Sequence, residues 1–117
     1  MEPYNYNLYG KVYSGMNELA NESPDLMKGF GMLCKTNALD KTLSKKEKEL
    51  LAVAIAIVVH CEESITRCVK DALEAGAPHN QVIEVVGVAI LMGGGPALVY
   101  GTMALNAVKE FEEKQNN

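Results

Sequence analysis

The sequence has no excess of positive charge and few cysteines, and both shortages exclude classes of function. The 117 residues carry a formal net charge of −4, so they provide no basic stripe of the kind that neutralises phosphates in nucleic-acid complexes. Nucleic acid is therefore not an expected partner. Three cysteines are an odd number, which argues against a framework of structural disulfides. We expect the thiols to be buried, reactive or bound to a metal.

Long apolar stretches are also missing. The longest uncharged apolar run extends from Leu50 to Val59, about half of the roughly 20 residues that a membrane-spanning helix needs. The first residues, MEPYNYNLYGKVYSG, lack the basic start and apolar core of a secretory signal. These absences predict a cytoplasmic protein with no membrane partner. With 48% hydrophobic and 22% charged residues, residues 1–117 are expected to form a single domain.

Strand patterns are scarce, whereas apolar residues recur at the spacings of three and four that indicate helices. The sequence therefore predicts an all-α fold, a bundle of about six helices. The first is expected to begin near Ser14 and the second at Ser23, an N-cap followed by proline. Ser44 and Glu47 form a capping-box pattern ahead of the third helix. Since that helix is apolar on every side, it is expected to be central.

The remaining helices are separated by glycine and proline. The fourth is predicted over Glu62–Ala75 before Gly76, the fifth over His79–Met92, and the sixth over Ala97–Glu113. Whether His60 and Cys61 break the third helix from the fourth stays open. Between the last two helices, GGGP lacks the lysine and hydroxyl residue of a phosphate loop. It predicts a close helix junction, to which Gly87 and Gly101 are expected to contribute.

The segment HCEESITRC, residues 60–68, holds two of the three cysteines. On a helix, Cys61, Ser64 and Cys68 share one face. A rise of about 1.5 Å per residue places the two cysteines about 10 Å apart, beyond the roughly 7 Å limit for a disulfide. Ser64 lies one turn from Cys61, where a second cysteine would complete a redox C-x-x-C motif. Serine itself has no disulfide chemistry.

Cys61 is the candidate reactive thiol. If it opens the fourth helix, the helix dipole and the free backbone N–H groups favour its thiolate. His60 would add a positive charge or accept the thiol proton, whereas the carboxylates of Glu62 and Glu63 oppose the thiolate. A serine hydrolase built on Ser64 is disfavoured, because no G-x-S-x-G elbow is present.

A metal site is the alternative use of these side chains, since thiolate and imidazole groups suit zinc and iron. It would draw on His60, Cys61, Cys68, Cys34 or His79. Their spacing fits no common zinc pattern, so no bound metal or cluster is expected.

The segment resembles the signature of the carboxymuconolactone decarboxylase and alkylhydroperoxidase D family. In that signature, a glutamate precedes a C-x-x-C motif by twelve residues, and a histidine follows the second cysteine by four. Glu49 matches the glutamate, Cys61 the first cysteine, Ser64 the second and Cys68 the histidine. The stretches KDALEAGAP and IEVVGVAILMGGGPALVYG also resemble the family's downstream helices. The resemblance covers about residues 39–111 and leaves residues 1–38 as N-terminal helices.

The resemblance implies one of two activities. Alkylhydroperoxidase D proteins use their cysteine pair as a thiol-dependent peroxidase or disulfide reductase, while the glutamate and histidine relay a proton. Retention of Cys61 and Glu49 favours this class, with Glu49 as proton acceptor and with His60 and Cys68 lining the pocket. The expected partners are a small thiol, a disulfide, a hydroperoxide or a redox protein. No resident cofactor is expected, because an external thiol would be the reductant.

Two alternatives stay open. One is a decarboxylase-like lyase in which Glu49 and His60 perform acid–base chemistry and Arg67 holds a carboxylate. The other is a helical subunit without catalysis.

Ser64 has two explanations. It is either a natural divergence, in which Cys61 works alone, with Cys68 or with an external thiol, or an engineered replacement of cysteine.

The apolar third helix also predicts a homo-oligomer, because one copy has too little chain to cover it. The resemblance to this family implies trimers or hexamers, which supports the same expectation. Met92, Tyr100 and Met103 are expected mainly to fill the core, with a pocket-lining role as the alternative.

Overall fold

The computed structural model describes residues 6–116, with side chains from residue 10 onward, and every regular element in that part is a helix. The all-α prediction is confirmed. The six helices are α1 (Tyr6–Glu22), α2 (Pro24–Asn37), α3 (Lys45–Val58), α4 (Glu62–Glu74), α5 (His79–Gly93) and α6 (Gly95–Gln115).

Several helix boundaries differ from the prediction, by one residue at the ends of α4 and α5 and by more in the first and last helices. The helix expected from Ser14 already includes Tyr6, because nothing stronger than Gly10, a mild helix breaker, interrupts the segment before Ser14. The last helix begins at Gly95, with Pro96 in its first turn, and continues to Gln115 rather than ending at Glu113. Proline is tolerated there, since a helix's first N–H groups have no partner inside the helix.

The chain divides into two compact units, one ending at Leu39 and one beginning at Asp40. The first contains α1 and α2, which pack against each other. In α2 no residue is buried. The side chains of Leu26, Phe30 and Leu33 are each more than half exposed. This unit therefore has the form of a helical pair without a core of its own.

The second unit contains α3 to α6 and holds the buried core. Within it, α3 contacts α4, α5 and α6, while α6 also contacts α4 and α5. One face of α3 is buried through Val53, Ala56 and Ile57, whereas Ile55 is 62% exposed. The third helix is central in this unit, but the side chains of Leu51, Ile55 and Val58 are exposed. The core is made of these residues: Val53, Ala56, Ile57, Ile65, Cys68, Val69, Ala72, Ala77, Val82, Ala89, Ala97, Ala104, Ala107 and Val108.

The glycine-rich junction between α5 and α6 is close-packed. A Cβ on Gly93 would lie 2.7 Å from Ala97 Cβ, and one on Gly101 would lie 2.9 Å from Val86 Cγ1. Real Cβ atoms do not approach so closely, so larger residues would force the helices apart. The expected contribution of Gly87 is wrong, because a Cβ there would have nothing within 4 Å.

The start of α3 is fixed by the capping box that the sequence predicted. Ser44 Oγ accepts a hydrogen bond from the Glu47 N–H, and the Ser44 N–H donates to Glu47 Oε1, both at 3.1 Å. The bond from the Ser44 N–H to the carboxylate, together with the Ser44 hydroxyl, lowers the pKa of Glu47. The box fixes the helix register that places Glu49. Within residues 6–116, no helix has the length and apolarity required to cross a membrane.

Candidate thiol site at the start of helix α4

His60 and Cys61 form a break between α3 and α4. The N–H of His60 donates to the carbonyl of Ile57, and the N–H of Cys61 donates to that of Ala56, both at 3.2 Å. His60 has a positive φ of 62°. These two hydrogen bonds, closed around one left-handed residue, form a Schellman motif. In this type of helix ending, the left-handed residue is usually glycine. The question that the sequence left open is thus answered by a sharp turn.

Cys61 is at once the last residue of this turn and the N-cap of α4. Its backbone is extended, with φ −105° and ψ 96°, and its carbonyl accepts the N–H of Ile65 at 2.9 Å. The half-buried Cys61 thiol donates to Ser64 Oγ across 3.1 Å. The residue therefore occupies the N-terminus of α4, the end of a helix at which an anion is stabilised, although its thiol makes no cap hydrogen bond to the first turn.

Cys68 has a different environment on the same helix. Its side chain is 7% exposed and belongs to the core. Burial, assisted by the negative charges of Glu49 and Asp71, raises the pKa of the Cys68 thiol to about 11, although Arg67 opposes the shift. At neutral pH this side chain is a neutral thiol, a poor nucleophile.

Glu49 lies nearer to Cys68 than to Cys61 along the helix pair. Residues 59–61 connect α3 to α4, and so short a connection makes the two helices antiparallel neighbours. Counting back from the turn at His60 places Glu49 level with Asp71, in the C-terminal half of α4. Burial raises the pKa of Glu49, and the carboxylate of Asp71 raises it further. A carboxyl group in this state is suited to taking up and releasing a proton.

The imidazole of His60 lies flat against the phenol ring of Tyr100 on α6. The ring centroids are 4.4 Å apart and the planes differ by 5°. Tyr100 packs against the core, as does Met103, whereas the expectation that Met92 fills the core is wrong, since it is 77% exposed. The Tyr100 contact could not be found from sequence spacing, because it joins residues on different helices.

The other sequence candidates have different partners. Arg67 Nε pairs with Glu63 Oε1 at 3.4 Å, an i,i+4 pair on the surface of α4. His79 Nδ1 lies 3.0 Å from Glu112 Oε1. Cys34 is exposed on α2. Among residues 6–116, no three His, Cys, Asp or Glu side chains are grouped to hold a metal ion.

A family model fits most of the chain. The model of the carboxymuconolactone decarboxylase family matches residues 24–109. The chain belongs to this family. Among relatives of this family member, an uncharacterised protein of Cupriavidus necator is 34% identical over 87 residues, covering 74% of this chain and 77% of its own. An uncharacterised protein of the cox locus of Paracoccus denitrificans is 31% identical over 102 residues, covering 87% and 92%.

Solved structures of carboxymuconolactone decarboxylase family proteins have the same fold. The apo form of one from Legionella pneumophila superimposes with a TM-score of 0.81 at 34% identity, over 87% of this chain and 91% of its own. One from Thermotoga maritima gives a TM-score of 0.81 at 21% identity, covering 93% of both chains. The second likeness concerns the fold alone.

Proposed function

We propose that this carboxymuconolactone decarboxylase family member is a thiol–disulfide oxidoreductase of the alkylhydroperoxidase D type, with Cys61 as its nucleophile. One observation carries the proposal: the Cys61 thiol caps α4 and lies 3.1 Å from Ser64 Oγ. Position 64 is where the signature of such enzymes has its second cysteine. A sulfur atom replacing that oxygen would be within reach of a disulfide after a rotamer change.

The first chemical step is attack of the Cys61 thiolate on one sulfur of a disulfide substrate. A bond forms between Cys61 Sγ and that sulfur, the substrate's S–S bond breaks, and the other half leaves as a thiolate that takes up a proton. The product is a mixed disulfide on Cys61. With a hydroperoxide, the thiolate attacks the terminal oxygen instead, the alcohol leaves after protonation, and Cys61 becomes a sulfenic acid.

The second step requires another thiol, and neither residue 64 nor residue 68 supplies one. Ser64 cannot exchange disulfides, and Cys68 is buried and held as a neutral thiol. An external low-molecular-weight thiol or a redox protein therefore completes the cycle. Its thiolate attacks the mixed disulfide, forms a new disulfide with the substrate half, and releases Cys61. A sulfenic acid consumes two such thiols, which yield water and one disulfide.

Glu49 is proposed to manage the protons of this cycle. Its raised pKa makes the carboxyl a better proton acceptor than an exposed glutamate, and its charge acts on Cys68. Successive positions on the inner face of α4 lead from Cys68 through Ser64 to Cys61. In this arrangement Cys68 lines the path between Glu49 and the reactive thiol, where the family signature has histidine.

The test is reduction of a small aromatic disulfide by the pre-reduced protein, compared with Ser64→Cys. Without added reductant, the serine protein should stop at the mixed disulfide on Cys61, whereas the Ser64→Cys variant should release a second thiol as its two cysteines close a disulfide. When a dithiol is then supplied as reductant, Ser64→Cys should turn over. Ser64→Ala is the matched control and should behave like the serine protein. Absence of any Cys61 adduct would contradict the proposal and favour the subunit without catalysis.

The lyase alternative lacks a specific observation in its favour. It requires Arg67 to hold a substrate carboxylate, and this guanidinium is engaged with Glu63. Turnover of a carboxylated lactone that is lost in Glu49→Gln but kept in Cys61→Ser would reverse this preference.

We also propose that the protein works as a homo-oligomer. In the second unit, Leu91 is 79% exposed, Met92 77% and Ile55 62%. Val58 lies beside Gly93, so the ends of α3 and α5 that carry these side chains meet at one surface. Burying it against a second copy would remove apolar area from water. A monomer by sedimentation at micromolar concentration would contradict this part.

A further inference from the structure

The turn that presents Cys61 has an unusual residue at its left-handed position. A second Schellman motif ends α4, where the Gly76 N–H donates to the Leu73 carbonyl and the Ala77 N–H to that of Ala72. There the left-handed position is glycine, with φ 98°. The matching position at the end of α3 is His60, with φ 62°. A residue with a side chain adopts this left-handed conformation at an energetic cost that glycine avoids.

The ring contact between His60 and Tyr100 offsets the energetic cost of the left-handed backbone at His60. The imidazole and phenol rings stack nearly parallel at 4.4 Å, and an aromatic pair contributes stabilisation beyond the burial of its area. Tyr100 is itself anchored, because it packs against the core and precedes Gly101, where α6 closely approaches Val86 on α5. The stack therefore ties the turn to a rigid helix.

We propose that Tyr100 is a positioning residue that acts through His60. The stack holds His60 left-handed, the turn then keeps Cys61 at the N-cap of α4, and the cap position exposes the thiol to the positive end of the helix. In this account the His60 ring is an anchor for the turn rather than the base for the thiol. The inference rests on the proposed role of Cys61 and adds the device that orients it.

The test is the rate at which Cys61 is alkylated by iodoacetamide in the reduced, folded protein, with exposed Cys34 in the same molecule as the internal reference. Tyr100→Leu should slow Cys61 about two- to tenfold relative to Cys34, the change that a typical aromatic-pair energy would produce. Tyr100→Phe keeps a ring and should restore the rate. An unchanged Cys61 rate in Tyr100→Leu would overturn the proposal.

Proton NMR reports the stack independently of thiol chemistry. The chain has two histidines, so the imidazole C–H signals of His60 can be assigned by comparison with His79→Gln. A stacked ring current should move the His60 signals upfield, and this shift should persist in Tyr100→Phe and vanish in Tyr100→Leu. Loss of the shift in Tyr100→Leu with no change in Cys61 rate would overturn the positioning role.

Two variants at the turn separate the backbone role of His60 from a chemical one. His60→Ala removes the ring and keeps the left-handed penalty, whereas His60→Gly removes both, so glycine should slow Cys61 less than alanine. Tyr100→Leu should add nothing further in the His60→Ala background. Equal slowing by alanine and glycine would mean that the imidazole acts on the thiol itself. A full additional effect of Tyr100→Leu would mean that Tyr100 acts without His60.

These rates need no substrate turnover, so failure of the disulfide assay and failure of the positioning role are distinguishable. A variant set that alters Cys61 alkylation as expected, in a protein that reduces no disulfide, would support the anchor and reject the proposed function. The reverse pattern would keep the function and reject the anchor.

Discussion

Helix α4 has one cysteine at its N-cap and one in its second turn, and the two thiols lie in different surroundings. Cys61 is half-buried at the helix start, where its thiol donates to a serine hydroxyl. Cys68 is buried among apolar side chains, and its pKa is raised to about 11. Position along the helix therefore matters more than residue type. Each prediction below tests whether this contrast determines the chemistry.

The largest effect is expected from removing Cys61, the thiol at the start of α4. Cys61→Ser should abolish the fast phase of mixed-disulfide formation and leave only slower reaction at exposed Cys34. It should also abolish turnover in the Ser64→Cys background, because no other thiol lies at a helix N-terminus. The measurement is thiol release from a chromogenic disulfide. Cys34→Ser, the matched control on α2, should leave the fast phase of thiol release at the parent level. Residual turnover in Cys61→Ser would contradict the contrast.

Direct labelling sharpens the comparison within one molecule. With a pKa of about 11, only about one in a thousand Cys68 side chains is thiolate at pH 8, and burial restricts access as well. Native Cys68 should therefore be alkylated at least about a hundredfold more slowly than Cys61. Peptide mass spectrometry gives both rates. In urea the two should become similar, and a fast native Cys68 would refute its assigned burial.

Alkaline pH should reveal the cost of ionising Cys68. The folded state raises this pKa from 9.0 to about 11, so the folded state keeps the proton that the unfolded state releases between these values. Stability that is present below pH 9 should thus be lost as pH rises toward 11, by up to about 2 kcal/mol after allowance for solvent screening. In urea denaturation, the free energy of unfolding of Cys68→Ala should not show this part of the decrease between pH 9 and pH 11.

The smallest expected effect concerns Glu49. Its pKa is raised by burial and by Asp71, so the ionised carboxylate destabilises the folded state at neutral pH. Glu49→Gln should stabilise the protein slightly at pH 7, and the gain should disappear below about pH 4, the pKa range of an exposed glutamate. Disulfide turnover in the Ser64→Cys background should fall nonetheless. Destabilisation at pH 7 would show that the carboxylate makes favourable contacts.

Much of the fold follows from short-range patterns that a sequence displays. The capping box at Ser44, the Ser23–Pro24 start and the Gly76 stop are each determined by a few neighbouring residues, and the structure has all three. The common face of Cys61, Ser64 and Cys68 follows from helical periodicity alone. The predicted start of α1 was wrong, because no strong start or stop signal lies near the observed one.

The finer features of the site depend on contacts between helices, which periodicity does not encode. The sequence did not indicate that His60 adopts a left-handed conformation, because glycine is the usual signal for such a turn. The stack on Tyr100 joins two segments 40 positions apart. Burial of Cys68 also depends on how α4 packs, so the sequence could not rank the thiols.

The central claim is that Cys61 is the thiol that attacks the substrate. The most direct measurement incubates the reduced, folded protein with a small symmetrical disulfide and locates the first adduct by peptide mass spectrometry while counting the thiol released. The account predicts one adduct on Cys61, one equivalent of released thiol and no bond between Cys61 and Cys68. A first adduct on Cys34 or Cys68, or an internal disulfide, would contradict it.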